Sequence, residues 1–367
     1  MKNPEPSKTY HKVKTWLFYF SLATDLILLF CFFITGLSIK LRNFSLQCSS
    51  FPIIANGIYL MVFSVLFYIV HFPLNLFQGY FWEHKFGLST QNIQNWFKDE
   101  MKGAVLSFLL MMIMAETIYF FLGIFPSTWW IYAGFFWLLM TLVVARIVPT
   151  FIIPLFYKYS DIDNQELKLR IMKLFERAKV SLKNIYAINL SSKTKKANAF
   201  ICGLGKSRRV VLSDTLLSNF MDSEIETVVA HELGHYKGKD ILRLTLVNTL
   251  TIFIAFYFMH LILQYALQRL GLRRIDDIAF FPILALVMSV FMVLMMPVLN
   301  GFSRYLEIKA DRFSLKFSQN PHDFISMIKK LGEMNLAEFE PGRFNEFMFY
   351  DHPSIAKRIH YAQKFLS

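Results

Sequence analysis

Cysteine and charge are both scarce in this chain. The 367 residues include three cysteines, and Asp, Glu, Lys and Arg together make up 18%. Cys31, Cys48 and Cys202 lack the spacing of metal ligands and form no recognisable disulfide framework. Repeats, low-complexity tracts and Gly/Ser linkers are also missing. The sequence therefore does not indicate a disulfide-stabilised domain or several independent domains joined by linkers.

What is abundant is apolar sequence, at 55% hydrophobic and 17% aromatic residues. A membrane-spanning helix needs about 20 apolar residues, and six stretches are long enough. They are Trp16 to Ile39, Ile53 to Phe77, Ala104 to Ile124, Trp129 to Ile153, Ile241 to Tyr265 and Ile278 to Leu299. The first is too long for a signal-peptide core and lacks a cleavage pattern, so we expect a retained helix. The composition predicts an all-α, multi-pass membrane protein with six spans.

The net charge of +13 is distributed as membrane topology requires, and it does not indicate a nucleic-acid partner. Four lysines precede the first span, 15 Lys or Arg lie in residues 154–240, and ten lie in residues 300–367. The loops that must face the other side hold five. This asymmetry predicts a cytoplasmic N-terminus and places both large polar regions on the cytoplasmic side.

These features divide the chain into four parts. We expect a four-span membrane region at 1–153, a small cytosolic α+β catalytic insert at 154–240, two further spans at 241–299 and a C-terminal catalytic segment at 300–367. In the insert, Gln165 to Lys179 has helical apolar spacing, and Asp222 is the expected N-cap of the next long helix. Three strands are expected between them, at Asn184 to Leu190, Ala197 to Cys202 and Arg209 to Leu212, with a hairpin turn at residues 203–206.

An HEXXH box, His231-Glu232-Leu233-Gly234-His235, lies at the end of the insert. Two histidines four residues apart lie on one face of a helix and can bind one metal ion, with Glu232 beside them as general base. A hydrolytic zinc site of this type takes a carboxylate as third ligand and leaves a position open for water. The box therefore predicts a metal-dependent hydrolase that binds one Zn²⁺.

Glu307 and Asp311 follow 72 and 76 residues after His235 and share a helical face. Two spans separate them from the box, so both halves emerge on the same side of the membrane. We expect Glu307 to be the third ligand and Asp311 to accept a hydrogen bond from a ligand histidine. An acidic pair on a solvated helix is the alternative.

Polar residues elsewhere have weaker signals. His352 and Arg358, in the C-terminal segment, are candidate donors to the oxyanion that forms during peptide hydrolysis, although a surface His and Arg are the commoner case. Asp25, Glu116 and Arg146 lie inside apolar spans, where they should face one another or water. From their similar depth we predict that Asp25 pairs with Arg146.

Several segments together give a family resemblance from about Asn56 to the C-terminus. They are the WEHKFGL loop at 82–88, the Ala197-Asn198-Ala199-Phe200 segment, the stretch Arg209 to Leu217, the HEXXH box, the helix with Glu307 and Asp311, and the tail from His352 to Arg358. The chain resembles CAAX prenyl protease 1, a family of multi-span zinc metallopeptidases related to the HtpX stress proteases.

This resemblance implies a ring of about six to seven transmembrane helices around a water-filled chamber. The charge asymmetry fits a bacterial inner membrane and an endoplasmic reticulum membrane equally well. It makes His231, His235 and Glu307 zinc ligands, Glu232 the base, and His352 and Arg358 contacts of the reacting carbonyl. Asn198 and Ala199 fall where the family pairs its edge strand with an extended peptide substrate.

Three functions remain open at this point. The first is removal of C-terminal residues from prenylated CAAX proteins. The second is HtpX-like quality control of damaged membrane proteins. The third is a transporter or scaffold with a structural metal, against which the complete HEXXH box argues.

Overall fold

The computed structural model describes residues 5–203, 205–270 and 274–365, and it is mostly helical. The helices of the N-terminal region are α1 (Glu5–Ile34), α2 (Leu37–Cys48), α3 (Pro52–Leu76), α4 (Glu83–Lys85), α5 (Ile93–Ile124), α6 (Trp129–Ile147) and α7 (Ile153–Phe156). Two π-helical stretches, Phe77–Trp82 and Val148–Ile152, precede α4 and α7.

The remainder alternates between small polar elements and long helices. The polar insert contains β1 (Tyr159–Asp161), α8 (Gln165–Arg177), β2 (Asn184–Ile188), β3 (Ala199–Cys202), β4 (Arg209–Ser213), α9 (Asp214–Asn219) and α10 (Asp222–Gly238). The C-terminal part contains α11 (Asp240–Leu270), α12 (Phe281–Ser318), α13 (Pro321–Met334), α14 (Arg343–Phe349) and α15 (Ile355–Gln363). Leu204, in the predicted hairpin turn, lies outside the described residues.

Six helical segments of the described chain are long and apolar enough to cross a membrane, which confirms the predicted architecture. They are Pro6–Ile34, Pro52–Lys85, Ile93–Ile124, Trp129–Phe156, Asp240–Tyr265 and Ile278–Ser318. The predicted extent of the first span, to Ile39, is wrong. The helix ends at Ile34 because Gly36 adopts φ +72°, a left-handed conformation that breaks the helix before α2 begins.

α12 is much longer than a membrane crossing requires, and it carries the expected third ligand. Its 38 residues span about 57 Å, whereas the hydrocarbon core of a bilayer is about 30 Å thick. The last predicted span and the helix with Glu307 and Asp311 are therefore one continuous rod.

The insert folds around a four-stranded sheet of order β1-β2-β4-β3. β2 and β4 run parallel, while β1 and β3 run antiparallel to their neighbours. The three expected strands are present, and β1 is an additional short strand. β3 occupies an edge of this sheet, and α10 packs against it.

One apolar core joins the insert to the C-terminal segment. It includes residues of α8, β4, α10, α12, α13 and α15, among them Phe175, Leu212, Val229, Leu315 and Phe324. Parts of the chain separated by two membrane spans therefore form a single catalytic module.

Two predictions about polar residues are wrong. Asp25 does not pair with Arg146: its carboxylate lies 3.0 Å from Nε2 of His71 on α3, while Arg146 is exposed and makes no ion pair with any described residue. Asp222 is not the N-cap of α10. Met221 takes that position, and its N–H donates to Oε2 of Glu224 at 2.8 Å.

Candidate metal centre

α10 carries the HEXXH box and is fixed at its N-terminus by a buried carboxylate. Besides the N–H of Met221, Glu224 accepts hydrogen bonds from Ser326 and Lys330 of α13, both at 2.6 Å. Burial raises the pKa of Glu224, but these three donors outweigh it and hold the pKa below its ordinary value. The charged carboxylate thus joins α10 to α13.

Gly234 allows α10 to lie against α12. A Cβ at this position would be 3.0 Å from Cα of Ala310 and 3.2 Å from its carbonyl oxygen. Any side chain there would push the two helices apart. The glycine of the box therefore sets the distance at which α12 presents Glu307 and Asp311 to the histidines.

The three predicted ligands converge. Nε2 of His231 lies 3.3 Å from Oε2 of Glu307, Nε2 of His235 lies 3.1 Å from Oε1 of Glu307, and the two Nε2 atoms are 3.1 Å apart. One potential ligand atom from each residue lies within 4.8 Å of the others. His231 and Glu307 are buried, while His235 is partly exposed.

Each histidine has a second carboxylate on its other nitrogen. Asp311 lies 2.9 Å from Nδ1 of His231, and Asp240 lies 3.0 Å from Nδ1 of His235. Each Nδ1 therefore carries the proton, which leaves both Nε2 atoms as acceptors directed at the Glu307 carboxylate. When both imidazoles are neutral, three acceptor atoms converge with no proton between them, an arrangement that fits a bound cation.

Asp240 was missed in the sequence because it follows the helix that carries the box. α10 ends at Gly238, and Lys239 adopts φ +54°, which turns the chain back towards His235. Gly238 leaves room for the returning carboxylate, since a Cβ there would be 2.6 Å from Oδ1 of Asp240. A glycine two residues before an aspartate was the available signal.

Glu232, the predicted base, lies in a partly buried environment beside the histidines. Burial raises its pKa, and the neighbouring histidines oppose this only in part, so the pKa remains above its ordinary value. A carboxylate with a raised pKa is a better proton acceptor near neutral pH than an ordinary glutamate.

The tail brings both predicted donors to the centre, in different ways. Nε2 of His352 lies 3.2 Å from Oε1 of Glu307, and its Nδ1 lies 2.7 Å from Asp351. Arg358 forms two hydrogen bonds to Asp311, at 2.8 and 2.6 Å. Its guanidinium thus holds the carboxylate that orients His231. Contact of His352 and Arg358 with an oxyanion stays a prediction.

Asn198 and Ala199 lie at the start of the edge strand. The backbone of Asn198 pairs with Ser213, accepting its N–H at 2.9 Å. Ala199 begins β3 opposite Leu212. Their predicted role in substrate binding thus depends on the side of β3 that faces away from β4.

Helices able to span a membrane, a small sheet and an HEXXH-plus-Glu cluster define a multi-pass membrane metalloprotease, so the transporter and scaffold alternatives are set aside. The sequence profile of peptidase family M48 matches residues 161–365, and the profile described as CAAX prenyl protease N-terminal, five membrane helices, matches residues 3–158. The chain belongs to peptidase family M48, whose members are zinc-dependent.

Individual relatives agree with this assignment. An uncharacterized metalloprotease of Bacillus subtilis, YhfN, is 29% identical across 98% of this chain and 85% of its own length. CAAX prenyl protease 1 of Saccharomyces cerevisiae is 28% identical across 82% of this chain and 70% of its own length. The crystal structure of S. mikatae Ste24p has the same fold, with a TM-score of 0.85, 22% identity and coverage of 98% of this chain and 88% of that one.

Proposed function

We propose that the protein binds one Zn²⁺ through His231, His235 and Glu307 and cleaves extended peptides near the C-terminus of prenylated CAAX proteins. The observation that carries the proposal is the convergence of three acceptor atoms, one each from His231, His235 and Glu307. The Nδ1 atoms of the two histidines already face Asp311 and Asp240. A cation satisfies all three at once. Two histidines and one glutamate are the ligand set of one class of hydrolytic zinc sites, which includes metalloproteases.

A zinc ion held there supplies Lewis acidity, which makes water a competent nucleophile near neutral pH. Glu232 takes the proton of the attacking water and passes it to the departing amine. Asp311 and Asp240 keep the two imidazoles in the tautomer and orientation that direct Nε2 at the centre. His352, within reach of Glu307, donates to the oxygen on which negative charge develops.

We also propose that the centre faces the cytoplasm. The regions that build the module, residues 154–240 and 300–367, hold 15 and ten basic residues, against five in the loops on the other side. A substrate processed there is one exposed to the cytosol at a membrane surface, as a prenylated C-terminus is.

The substrate assignment is tested with purified protein in detergent or bilayer. The zinc-loaded enzyme is given a prenylated CAAX peptide, the same peptide without its prenyl group, and an unfolded membrane protein. Cleavage of the prenylated peptide with a kcat/KM at least tenfold above the other two supports the proposal. Preference for the unfolded protein instead establishes the quality-control alternative.

A further inference from the structure

One side of β3 is available for pairing because the strand lies at the sheet edge. Asn198 pairs with Ser213, and Phe200 and Cys202 lie opposite Val211 and Arg209. In an antiparallel pair, hydrogen-bonded residues alternate with residues whose peptide groups point away. The peptide groups of residues 197, 199 and 201 therefore face outward from β4.

The outward groups of Ala197 are already taken by a side chain. The N–H of Ala197 donates to Oδ1 of Asn335 at 3.0 Å, and Nδ2 of Asn335 donates to the carbonyl oxygen of Ala197 at 3.4 Å. The carboxamide of Asn335 has the donor and acceptor of one peptide unit. It makes the two bonds that a neighbouring strand would make at this position.

The chain before Ala197 is occupied as well. The N–H of Thr90 donates to the carbonyl of Lys193 at 3.1 Å, and the N–H of Lys195 donates to the carbonyl of Leu88 at 2.8 Å. Protein contacts therefore cover this segment as far as Ala197. Beyond it, no described residue pairs with the carbonyl of Ala199 or with either peptide group of Ile201.

The N–H of Ala199 has a local partner, Oδ1 of Asn198, at 2.9 Å. Rotation of that one side chain frees it for a peptide. The open part of the edge thus extends from Ala199 to Ile201 and is closed at the end occupied by Asn335.

Asn335 is held firmly in this position. It is the C-cap of α13, and its N–H donates to the carbonyl of Leu331 at 3.0 Å. The carbonyl of the next residue, Leu336, lies 2.9 Å from Nε2 of His11 on α1. The side chain of Leu336 packs against the small cluster formed by Tyr10, Trp82 and Leu88.

We infer that Asn335 is a positioning residue that closes the substrate edge at Ala197, so that an extended peptide pairs only with Ala199 and Ile201. This inference rests on the proposed peptidase function. A peptide antiparallel to β3 runs with its C-terminal end towards Ala197 and therefore ends against Asn335. The substrates selected are those in which few residues follow the cleaved bond, as in a C-terminal processing reaction.

The test uses full-length, zinc-loaded protein and peptides that share one scissile bond and carry one to eight residues after it. We expect the wild-type kcat/KM to fall at least tenfold beyond a limiting length. In Asn335→Ala the fall is expected to disappear or to move by two or more residues. A second series, extended only at the N-terminal side, should show no limit that depends on Asn335.

The matched control is Asn320→Ala, which removes the N-cap of the same helix, where Oδ1 accepts from the N–H of Asp323 at 3.2 Å. It should keep the wild-type length limit. Asn335→Asp keeps an oxygen that can accept the N–H of Ala197 but loses the donor to its carbonyl oxygen, so it should keep the length limit in part. This variant replaces Asn335→Ala if that protein does not fold.

An equal loss of rate at every length in the Asn335 variants, or an unchanged limit, overturns the inference while leaving peptidase activity established. A limit that shifts only in the N-terminal series also overturns it. If the wild type cleaves no member of either series, the proposed function fails and the inference with it.

Discussion

The carboxylate of Asp240 lies 3.0 Å from Nδ1 of His235, in the position that Asp311 occupies relative to His231 at 2.9 Å. One acid comes from the turn after α10 and the other from α12. Each imidazole is therefore oriented independently by its own carboxylate.

We predict that Asp240→Asn weakens zinc binding by about 10- to 100-fold, because loss of a carboxylate behind a ligand histidine typically has that effect. Asp311→Asn should weaken it further, since Asp311 also holds Arg358 through two hydrogen bonds. Chelator competition measures both affinities. An unchanged affinity in Asp240→Asn would show that His235 needs no such partner.

Zinc binding should weaken as the pH falls. Burial lowers the pKa of His231, but Asp311 and Glu307 outweigh it and raise the pKa to about 10. Without the ion, the site therefore holds a proton at neutral pH that zinc must displace, so the affinity should fall about tenfold per pH unit for each proton released. Calorimetry in buffers of different ionisation enthalpy measures proton release. Zinc affinity independent of pH between 6 and 8 would contradict this.

Gly234→Ala should separate α10 from α12. The added Cβ would lie 3.0 Å from Cα of Ala310, and overpacking of this kind typically costs about 1 to 3 kcal/mol. We expect a lower unfolding temperature and weaker zinc binding together. Gly103→Ala on α5 is the control, because a Cβ there meets nothing within 4 Å. If Gly234→Ala binds zinc as the wild type does, the helix spacing does not control the site.

Glu224→Gln should destabilise the catalytic module at neutral pH. Burial raises the pKa of Glu224, but Lys330, Ser326 and Met221 hold the pKa of the folded state below its ordinary value. The contribution of Glu224 to folding stability is therefore present above the pKa of the unfolded state. It is lost as the pH falls through the pKa of the folded state. We expect a loss of about 2 to 3 kcal/mol, the value of a buried charged hydrogen-bond network, in denaturant unfolding at pH 7.

The control for this variant is Glu166→Gln, which removes an exposed partner of Arg170 at 2.8 Å. That change should alter stability by less than about 0.5 kcal/mol. Equal effects of the two substitutions, or a Glu224→Gln loss that persists unchanged at low pH, would contradict the role given to Glu224.

The sequence was informative wherever chemistry follows a short periodic spacing. Residues four apart on a helix must share a face, so the box and the pair Glu307 and Asp311 could be found without a structure. The number of spans between them then required both to lie on one side of the membrane.

Relations that depend on helix rotation or on a turn could not be found in this way. Asp25 and Arg146 were matched by depth alone, but depth does not show which way a helix faces, and Asp25 points to His71 instead. Asp240 reaches His235 only because Lys239 is left-handed, and Asn335 reaches Ala197 from 138 residues away. No local pattern in the sequence encodes the contacts of Asp25 and Asn335, and for Asp240 the one local signal was Gly238, two residues earlier.

The roles of Glu232 and His231 are tested together by measuring metal content and peptide cleavage in the wild type, Glu232→Gln and His231→Ala. If Glu232 is the base and His231 a ligand, the wild type binds one zinc and cleaves. Glu232→Gln should retain the zinc and lose at least about 10²-fold in kcat, the usual contribution of a general base, while His231→Ala should lose both. Cleavage by Glu232→Gln at the wild-type rate would show that Glu232 is not the base, and full zinc content in His231→Ala would show that His231 is not a ligand.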